Sequence, residues 1–290
     1  MIQRLCVIGV GLIGGSLIAA LRERGLVREV VGCSRREETL GTAQYLGLID
    51  RGETDPVQAI AGADMVVVAI PMGQYKALFE ALRPVWPVEA IVTDCGSTKA
   101  SVHADLQAVF GELPSNFVAG HPVAGTERSG PAAATPDLYR HRRVILTPHV
   151  SADAGAVERV QAMWEGVGAA VSRMQDTHHD EILAMTSHLP HLIAYQLIGT
   201  LADAADEREV FAYAAGGLRD LTRIASSDAG MWRDIVLANR EAVLSALDRY
   251  MADLTALRSE LVEADSRGLH LRFAEARSVR ETWIRTAEVD

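Results

Sequence analysis

Several histidines, a serine and two arginines in this 290-residue sequence have types and spacings that could serve a reaction. The first candidate is His121, which lies between Gly120 and Pro122 after a strand-like apolar run. An imidazole titrates near neutral pH, so a histidine beside a ligand crevice could accept the proton of a substrate hydroxyl. A loop histidine without any catalytic role would have the same local sequence.

Ser97 lies in a polar stretch that directly follows a predicted strand at residues 90–93. The carboxyl ends of parallel strands face the ligand crevice, so this hydroxyl could hydrogen-bond a substrate hydroxyl. Ser97 or Thr98 could instead cap the helix that follows, and both roles could hold at once.

A third group contains the histidines His178, His179, His188 and His191. Neither pair has the spacing of a two-histidine zinc motif, and no cysteine pair accompanies them, so the sequence disfavours a metal site. Pro190 predicts a kink in the helix that carries the second pair. His188 and His191, three residues apart, would then share one face at the cleft between two domains.

Arg219 and Arg223 are four residues apart, so they would share a helix face. Two guanidinium groups could clamp a substrate that carries two carboxylates. Arg219 could equally pair with Asp220 at the surface. This alternative is weaker for Arg223, because apolar Ile224 and Ala225 follow it directly.

The elements that must position these side chains begin with a glycine-rich turn, Gly9, Gly11 and Gly14. An apolar run at residues 5–10 leads into it, and a helical stretch and a second strand at 29–33 follow. In this context the glycines permit a tight turn, a close approach of a pyrophosphate and close packing of helix on strand. The sequence therefore predicts a dinucleotide site. The alternative is a glycine-rich turn in an ordinary α/β domain.

The second strand runs into Ser34, Arg35 and Arg36. An acidic residue is usual here when the cofactor is NAD, because it accepts from the ribose hydroxyls. A serine and two arginines suit a 2′-phosphate better, so we expect NADP, with NAD as the alternative. Two solvated arginines at the start of a helix would look the same.

The spacing of apolar runs predicts an α/β Rossmann-type domain at residues 1–173, followed by an all-α domain at 174–290. Strand-length runs alternate with helical patterns in the first part, which predicts a mostly parallel sheet covered on both faces. Further strands are predicted at residues 63–70, 90–93, 117–120, 144–147 and 169–174, with a helix at 154–168. Helices are predicted beyond them at residues 180–204, 207–225, 229–264 and 269–286.

The composition favours a folded protein of two domains and disfavours a nucleic-acid-binding or membrane-spanning one. A hydrophobic content of 49% is ample for two cores, and the net charge of −10 argues against a nucleic-acid partner. We expect no membrane span and no signal peptide, since no run is long enough and the first residues form a strand. The three cysteines, Cys6, Cys33 and Cys95, predict reduced buried thiols and a cytoplasmic location.

Taken together, these motifs resemble the prephenate/arogenate dehydrogenase family of tyrosine biosynthesis over nearly the whole chain. The resemblance rests on the glycine-rich stretch at 9–16 and on Gly-His-Pro with Ala-Gly-Thr-Glu at 120–127. It also rests on Asp-Cys-Gly-Ser-Thr-Lys at 94–99, Ser-His-Leu-Pro-His at 187–191, Gly-Leu-Arg-Asp-Leu-Thr-Arg-Ile-Ala at 217–225 and Met-Trp-Arg-Asp-Ile at 231–235. It implies oxidative decarboxylation of a small cyclohexadienol, prephenate or arogenate, and a homodimer formed through the helical domain.

The resemblance also implies residue roles. His121 corresponds to the catalytic histidine, and Ser97 to its helper at the substrate hydroxyl. Arg223 corresponds to the arginine that holds a substrate carboxylate, and the substrate site further includes His191, Thr126 and Gly217. The cofactor site comprises Gly9, Gly11, Leu12, Ile13, Gly14, Ser34, Arg35 and Arg36. Leu218 stands where many relatives carry phenylalanine, and we expect only a packing change.

Two other interpretations stay open at this point. A β-hydroxyacid dehydrogenase or imine reductase would share the glycine motif, but it should use a lysine or an aspartate/tyrosine in the helical domain, and no lysine follows Lys99. A non-catalytic NADP sensor would not need His121, Ser97 and Arg223 together. No residue decides between prephenate, which carries a keto group on its side chain, and arogenate, which carries an amino group.

Overall fold

The computed structural model describes residues 1–126, 128–204 and 207–287. Glu127, part of the motif at 120–127, lies outside the described residues. The chain divides into two units, Met1–Ala242 and Val243–Asp290. The domain boundary predicted between residues 173 and 174 lies inside the first of these units and stays a prediction.

The first unit is built on a parallel sheet of six strands. The strands and the helices between them are β1 (Ile2–Ile8), α1 (Leu12–Glu23), β2 (Val27–Cys33), α2 (Glu37–Tyr45), β3 (Arg51–Glu53), α3 (Pro56–Ala59), β4 (Met65–Val68), α4 (Tyr75–Leu82), β5 (Ile91–Asp94), α5 (Ala100–Phe110) and β6 (Phe117–Val118). The strand order is β3-β2-β1-β4-β5-β6, and every neighbouring pair is parallel. This is the doubly wound order of dinucleotide-binding sheets, and it confirms the predicted fold class.

Both faces of this sheet are covered, which explains why its strands read as continuous apolar runs. Alternate residues of β1 enter different cores because successive side chains point to opposite faces. Leu5 and Val7 belong to the core that α1 shares, whereas Cys6 and Ile8 pack with α4 and α5. Within this sheet, β3 is the strand that was not predicted, because its sequence, Arg-Gly-Glu, contains no apolar residue.

A second, smaller sheet contains β7 (Gly120–Pro122), β8 (Arg143–Leu146) and β9 (Ala170–Arg173), with α6 (Ala154–Gly166) before β9. β7 is antiparallel to β8, and β8 is parallel to β9. The single strand predicted at 117–120 is therefore wrong in extent, because the chain leaves the large sheet after Val118 and joins the small one at Gly120. This change of sheet brings His121 into β7.

The chain is helical beyond residue 175, as predicted, but the single helices predicted at 180–204, 207–225 and 229–264 are each divided into shorter ones. The helices are α7 (Asp176–Leu183), α8 (Leu189–Ala202), α9 (Glu207–Ala212), α10 (Gly216–Thr222), α11 (Ala229–Ala238), α12 (Arg240–Val262) and α13 (Ser266–Ala287). A π-helical segment, Ala184–His188, separates α7 from α8. Pro190 lies in the first turn of α8, so the helical irregularity directly precedes the proline.

The second unit contains α13 and most of α12. The chain reverses at Ala264, which has a φ of 53°. Arg272 of α13 donates to both carboxylate oxygens of Glu260 on α12. No helix among the described residues is long and apolar enough to cross a membrane.

Candidate functional site

The turn after β1 has the shape of a dinucleotide cradle. Gly9 has a φ of +103°, and a Cβ there would lie 2.1 Å from the carbonyl oxygen of Ala69. A Cβ on Gly14 would lie 2.2 Å from the carbonyl oxygen of Gly9, so α1 can approach β1 only without a side chain. A Cβ on Gly11, at the N-cap of α1, would meet no atom within 4 Å. The space before the first turn of α1 is therefore open to an anion.

The other predicted cofactor residues flank this cradle. Leu12 and Ile13 form the first turn of α1, and the Ile13 carbonyl accepts a hydrogen bond from the Tyr139 hydroxyl at 2.5 Å. At the end of β2, Ser34 is partly buried and its hydroxyl oxygen accepts from the Arg36 backbone N–H at 3.3 Å. The side chains of Arg35 and Arg36 are exposed. These groups fit a dinucleotide, with positive charge where the adenosine ribose is expected.

His121 lies in a buried chain of hydrogen-bonded groups. Its Nδ1 is 2.9 Å from Nε2 of His179, and Nδ1 of His179 is 2.7 Å from Oδ1 of Asp180. Both histidines are less than a tenth exposed. His121 comes from β7, whereas His179 and Asp180 come from α7, so the strand and the helix meet at this chain of contacts.

The Asp180 carboxylate is held by the start of α5. Its Oδ1 accepts from the Lys99 backbone N–H at 2.8 Å, and its Oδ2 accepts from the Ala100 N–H at 3.0 Å. Lys99 occupies the N-cap position of α5, and no side-chain cap bond forms there. The capping role considered for Ser97 or Thr98 is therefore wrong, because a carboxylate from α7 takes the N–H groups that a cap would take.

A buried ion pair positions the strand that carries His121. The Lys99 ammonium lies 2.5 Å from Oδ2 of Asp94 and donates to the Gly120 carbonyl at 2.7 Å. Asp94 Oδ1 accepts from the Gly120 N–H at 2.9 Å, and Oδ2 also accepts from the Tyr75 hydroxyl. Both charged side chains are fully buried. Such a pair is tolerated in an apolar core because each charge is hydrogen-bonded, and here it ties both polar groups of Gly120.

The surroundings of His121 keep its imidazole neutral. Burial lowers its pKa well below the ordinary value, and the neighbouring His179 and Lys99 lower the pKa further. Burial likewise lowers the pKa of His179, against the Asp180 carboxylate that raises it. A neutral imidazole has one bare nitrogen, so His121 is suited to accept a hydrogen bond at neutral pH.

A second group of side chains lies on the helices. The His191 ring stacks on Trp232, with centroids 3.5 Å apart, and its Nδ1 is 2.9 Å from the Ser187 carbonyl. Burial lowers the pKa of His191, and the nearby Arg223 guanidinium lowers it further. Arg223 directly follows α10. The helix that carries His191, α8, contacts both α10 and the turn that begins at Arg223. Neither residue's local sequence shows this proximity.

His188 faces a different partner. Asn239, buried at the end of α11, donates from Nδ2 to the Asp180 backbone carbonyl at 2.8 Å, and the same Nδ2 lies 3.1 Å from Nδ1 of His188. Burial lowers the pKa of His188 to about 4. His188 and His191 both contact Trp232, which agrees with the expectation that they share one face.

The remaining predicted residues are more exposed. Ser97 is partly buried in the turn between β5 and α5, and Gly217 is exposed in the first turn of α10. Thr126 is exposed, and its hydroxyl accepts from the Arg128 N–H at 3.2 Å. Within the described parts of the chain, no hydrogen bond or ring contact joins any of these three to His121.

A cavity of about 380 Å³ lies beside the loop after β7 and includes Thr126 in its lining. Its other lining residues are Val123, Ala124, Gly125, Thr135, Asp137, Leu138, Arg140 and Arg142. His121 is not among its lining residues. Among the residues that the structure describes, no three His, Cys, Asp or Glu side chains are arranged to hold a metal ion.

Sequence reasoning missed most of the groups around His121. Asp94 and Lys99 lie in the motif at residues 94–99, in which only Ser97 and Thr98 have roles assigned from the sequence. From the sequence, His179 is a candidate metal ligand only, and Asp180 has no assigned role. The adjacency of His179 and Asp180 in the sequence is the available signal, whereas nothing in the sequence marks Asn239, which lies 59 residues from Asp180.

Family models match almost the entire chain. Residues 17–173 match the nucleotide-binding domain of prephenate dehydrogenase, and residues 175–275 match the dimerization domain of prephenate dehydrogenase. The cyclohexadienyl dehydrogenase of Zymomonas mobilis is 36% identical over 281 residues, which is 96% of this chain and 95% of that protein. The prephenate dehydrogenase of Bacillus subtilis is 34% identical over 94% of this chain and 74% of that protein.

A solved structure agrees with these relatives. The prephenate dehydrogenase of Aquifex aeolicus, in complex with hydroxyphenyl propionate and NAD+, superimposes with a TM-score of 0.88. It is 34% identical in sequence, and the match covers 100% of this chain and 99% of that chain. With two family models that together span most of its length and relatives above 30% identity, this chain belongs to the prephenate dehydrogenase family.

Proposed function

We propose that this protein is a prephenate dehydrogenase, which catalyses the NAD(P)-dependent oxidative decarboxylation of prephenate to 4-hydroxyphenylpyruvate in tyrosine biosynthesis. The observation that carries the proposal is the buried, neutral His121, held by hydrogen bonds at the edge where the strands of a dinucleotide-binding sheet end. Gly9 follows β1, and Asp94 ends β5, with only β4 between these two strands. Asp94 in turn binds Gly120, so His121 lies on the cofactor side of the sheet.

The chemistry needs few protein groups. Prephenate carries a hydroxyl on C4 and a carboxylate on C1 of a cyclohexadiene ring. Bound NAD(P)+ supplies the hydride acceptor for C4. His121 accepts a hydrogen bond from the C4 hydroxyl and so stabilises the positive charge that develops as hydride departs. Loss of CO2 from C1 then leaves an aromatic ring, which makes decarboxylation favourable without a further catalytic group.

Other residues orient the substrate. Arg223 holds a substrate carboxylate, and His191 contributes to the same part of the site, which accords with the proximity of the two side chains. Ser97 hydrogen-bonds the ring hydroxyl beside His121. Thr126 and Gly217 line the substrate site, a role that follows from the family motifs alone. Fixing C4 against the nicotinamide in this way is the main task of the binding site.

The cofactor is held by the turn after β1 and the first turn of α1, through Gly9, Gly11, Leu12, Ile13 and Gly14. We propose NADP in preference to NAD. The exposed guanidinium groups of Arg35 and Arg36 and the Ser34 hydroxyl support a 2′-phosphate site. The Aquifex aeolicus relative was solved with NAD+, so NAD is the alternative.

A homodimer is proposed through the helical domain. The match to a dimerization domain at residues 175–275 supports it. So does the number of large apolar side chains that are exposed within the second unit. These include Met251, Leu254, Leu261, Val262, Leu271, Phe273, Val279 and Trp283. Exposed apolar residues at this density are typical of a surface that another chain covers.

Two further proposals concern organisation and location. The family models meet between residues 173 and 175, which supports a division into domains 1–173 and 174–290. A cytoplasmic location is supported by three free cysteines, of which Cys6 and Cys33 are buried.

Arogenate is the alternative substrate, and a dual-specificity cyclohexadienyl dehydrogenase is the related possibility. The dual specificity is supported by the Zymomonas mobilis relative, a cyclohexadienyl dehydrogenase that is 36% identical to this chain. The two substrates differ only in the side-chain keto or amino group, so the same His121 and Arg223 would serve both.

Steady-state kinetics with prephenate and arogenate, each against NAD and NADP, tests the proposal. We expect NAD(P)H and 4-hydroxyphenylpyruvate to form in equal amounts from prephenate. The His121→Asn variant is the matched control for contaminating activity. Turnover of arogenate alone would replace the proposed substrate, and turnover of neither substrate would refute the proposed function.

A further inference from the structure

We propose that His179 and Asp180 are positioning residues that set the tautomer of His121, with the proton on Nδ1 and a bare Nε2 for the substrate. The inference deepens the function proposed above and rests on the role of His121 in it. It follows from the direction of each hydrogen bond in the buried chain formed by these three residues.

The donor and acceptor of each hydrogen bond can be assigned from Asp180 onward. Its carboxylate accepts from two backbone N–H groups at the start of α5, those of Lys99 and Ala100. A helix start favours negative charge there, and an ionised carboxylate can only accept hydrogen bonds. Nδ1 of His179, 2.7 Å from Oδ1 of Asp180, must therefore carry a proton.

The second step passes through His179. Burial lowers the pKa of His179, so the ring is neutral and has a single proton. That proton is on Nδ1, which leaves Nε2 of His179 as an acceptor. The 2.9 Å contact between this Nε2 and Nδ1 of His121 then requires the proton to come from His121.

The third step leaves one nitrogen of His121 for the substrate. With a proton on Nδ1 and a neutral ring, Nε2 of His121 is bare. This nitrogen has no hydrogen-bond partner among the described residues, and it is not one of the buried polar atoms that lack a partner. It therefore reaches solvent and can meet a ligand hydroxyl.

The opposite polarity does not fit the contacts. If His179 donated from Nε2 while neutral, its bare Nδ1 would face the Asp180 carboxylate at 2.7 Å, with lone pairs opposed. A doubly protonated His179 could donate both ways, but burial and the Lys99 ammonium oppose that charge. Without an acceptor at Nδ1, His121 would no longer be held as Nδ1–H, and its Nε2–H tautomer would present a donor where the reaction needs an acceptor.

Tautomer and turnover can be measured separately. Two-bond ¹H–¹⁵N correlation spectra of the ¹⁵N-histidine-labelled protein report which ring nitrogen carries the proton, and the His121→Asn variant assigns the His121 signals. We expect Nδ1–H at His121 in the wild-type protein. In His179→Leu, which offers no acceptor, we expect a shift to Nε2–H and a fall in kcat on the order of 10²-fold.

His179→Gln is the matched control, because its amide oxygen can accept from His121 while its NH2 donates to Asp180. We expect this variant to keep the Nδ1–H tautomer and most of the activity. NAD(P) affinity should change little in either variant. Asp180→Asn provides a second route if His179→Leu does not fold, and there we expect a mixture of tautomers at His121.

Three outcomes would overturn the inference. They are an Nε2–H tautomer at His121 in the wild-type protein, an unchanged tautomer in folded His179→Leu or Asp180→Asn, and equal loss of kcat in the leucine and glutamine variants without a change of tautomer. Absence of turnover of either substrate by a wild-type protein with Nδ1–H at His121 would instead refute the proposed function and leave the tautomer assignment standing.

Discussion

The two ends of the candidate site are built differently. Around His121 the hydrogen-bond chain through His179 to Asp180 is buried, and each of its contacts has a named partner. Around Arg223 the side chains lie on helices and Gly217 is exposed. His191 stacks on Trp232 and contacts the Ser187 carbonyl. A proton acceptor must be positioned to within a fraction of an ångström, whereas a carboxylate clamp can adjust with the ligand. The more rigid end of the site is therefore the one at which bonds change.

The buried end of the site also differs from the protein surface in its electrostatics. The buried end contains an ion pair whose members have no access to water, so each depends entirely on the other and on nearby dipoles. Ion pairs elsewhere in the first unit are partly hydrated. Arg4 with Glu29, at 2.9 Å, is an example, since each side chain is more than a third exposed. Removing one partner should therefore have very different consequences in the two places.

Lys99→Met should produce the largest effect. It leaves Asp94 buried without its counter-charge, and breaking one partner of such a pair typically costs about 3–5 kcal/mol of unfolding free energy. Arg4→Met is the matched control, for which we expect less than about 1 kcal/mol. Urea unfolding of the three proteins measures both values. Similar losses in the two variants would show that burial does not distinguish the pairs.

His121→Asn should lower kcat by about 10²-fold or more, the usual scale for a lost acid/base group. The affinity for NAD(P) should stay unchanged, because His121 lies in β7 and outside the glycine-rich turn. Steady-state kinetics and cofactor titration by fluorescence provide the two numbers. A kcat near that of the wild-type protein would remove His121 from the mechanism.

Arg223→Ala should act mainly on binding. A hydrogen bond to a charged group contributes about 1.5–3 kcal/mol, so we expect KM for prephenate to rise about 10- to 100-fold. The affinity for NADP should be spared. Arg219→Ala, on the exposed surface of α10, is the control and should change KM little. Equal loss of NADP affinity in Arg223→Ala would place this arginine at the cofactor instead.

Ser34→Asp should reverse the cofactor preference. We expect the wild-type protein to favour NADP about tenfold or more, since a 2′-phosphate gains charge-assisted hydrogen bonds that are weakened by exposure. A carboxylate at this position repels the phosphate and accepts from a free ribose hydroxyl. Kd values for both cofactors measure the change. If the wild-type protein prefers NAD, Arg35 and Arg36 are solvated surface residues.

Lowering the pH to 6 should have the smallest effect on kcat/KM, and a nearly unchanged value is the informative result. Protonation of His121 removes the acceptor, so kcat/KM falls as pH decreases through the pKa of His121. Because burial, His179 and Lys99 all lower that pKa, the acid limb should lie well below pH 6.5. At pH 6 an ordinary histidine would be about three-quarters protonated, whereas we expect nearly full activity. A midpoint near 6.5 would mean that the neutral, buried His121 is not the titrating group.

Local sequence was a good guide to the elements and a poor guide to the contacts. The parallel sheet and the helical second part follow from runs and periodicities that each segment contains by itself. Two of the predictions failed where contacts with distant residues decide the local structure. The strand at 117–120 divides because Asp94 and Lys99 bind Gly120, and α5 is capped from α7 rather than by Ser97 or Thr98.

The amino-acid sequence by itself determined that this chain forms a dinucleotide-binding sheet with a glycine-rich turn, and it marked His121, Ser97 and Arg223 as candidates. Those features depend on residue type and short spacing, which any segment carries with it. Only the tertiary structure placed His179 against His121, Asp180 against the start of α5, and Asn239 against Asp180. These partners are 58 to 81 residues apart, and a hydrogen bond depends on the distance and angle between atoms that the whole fold brings together.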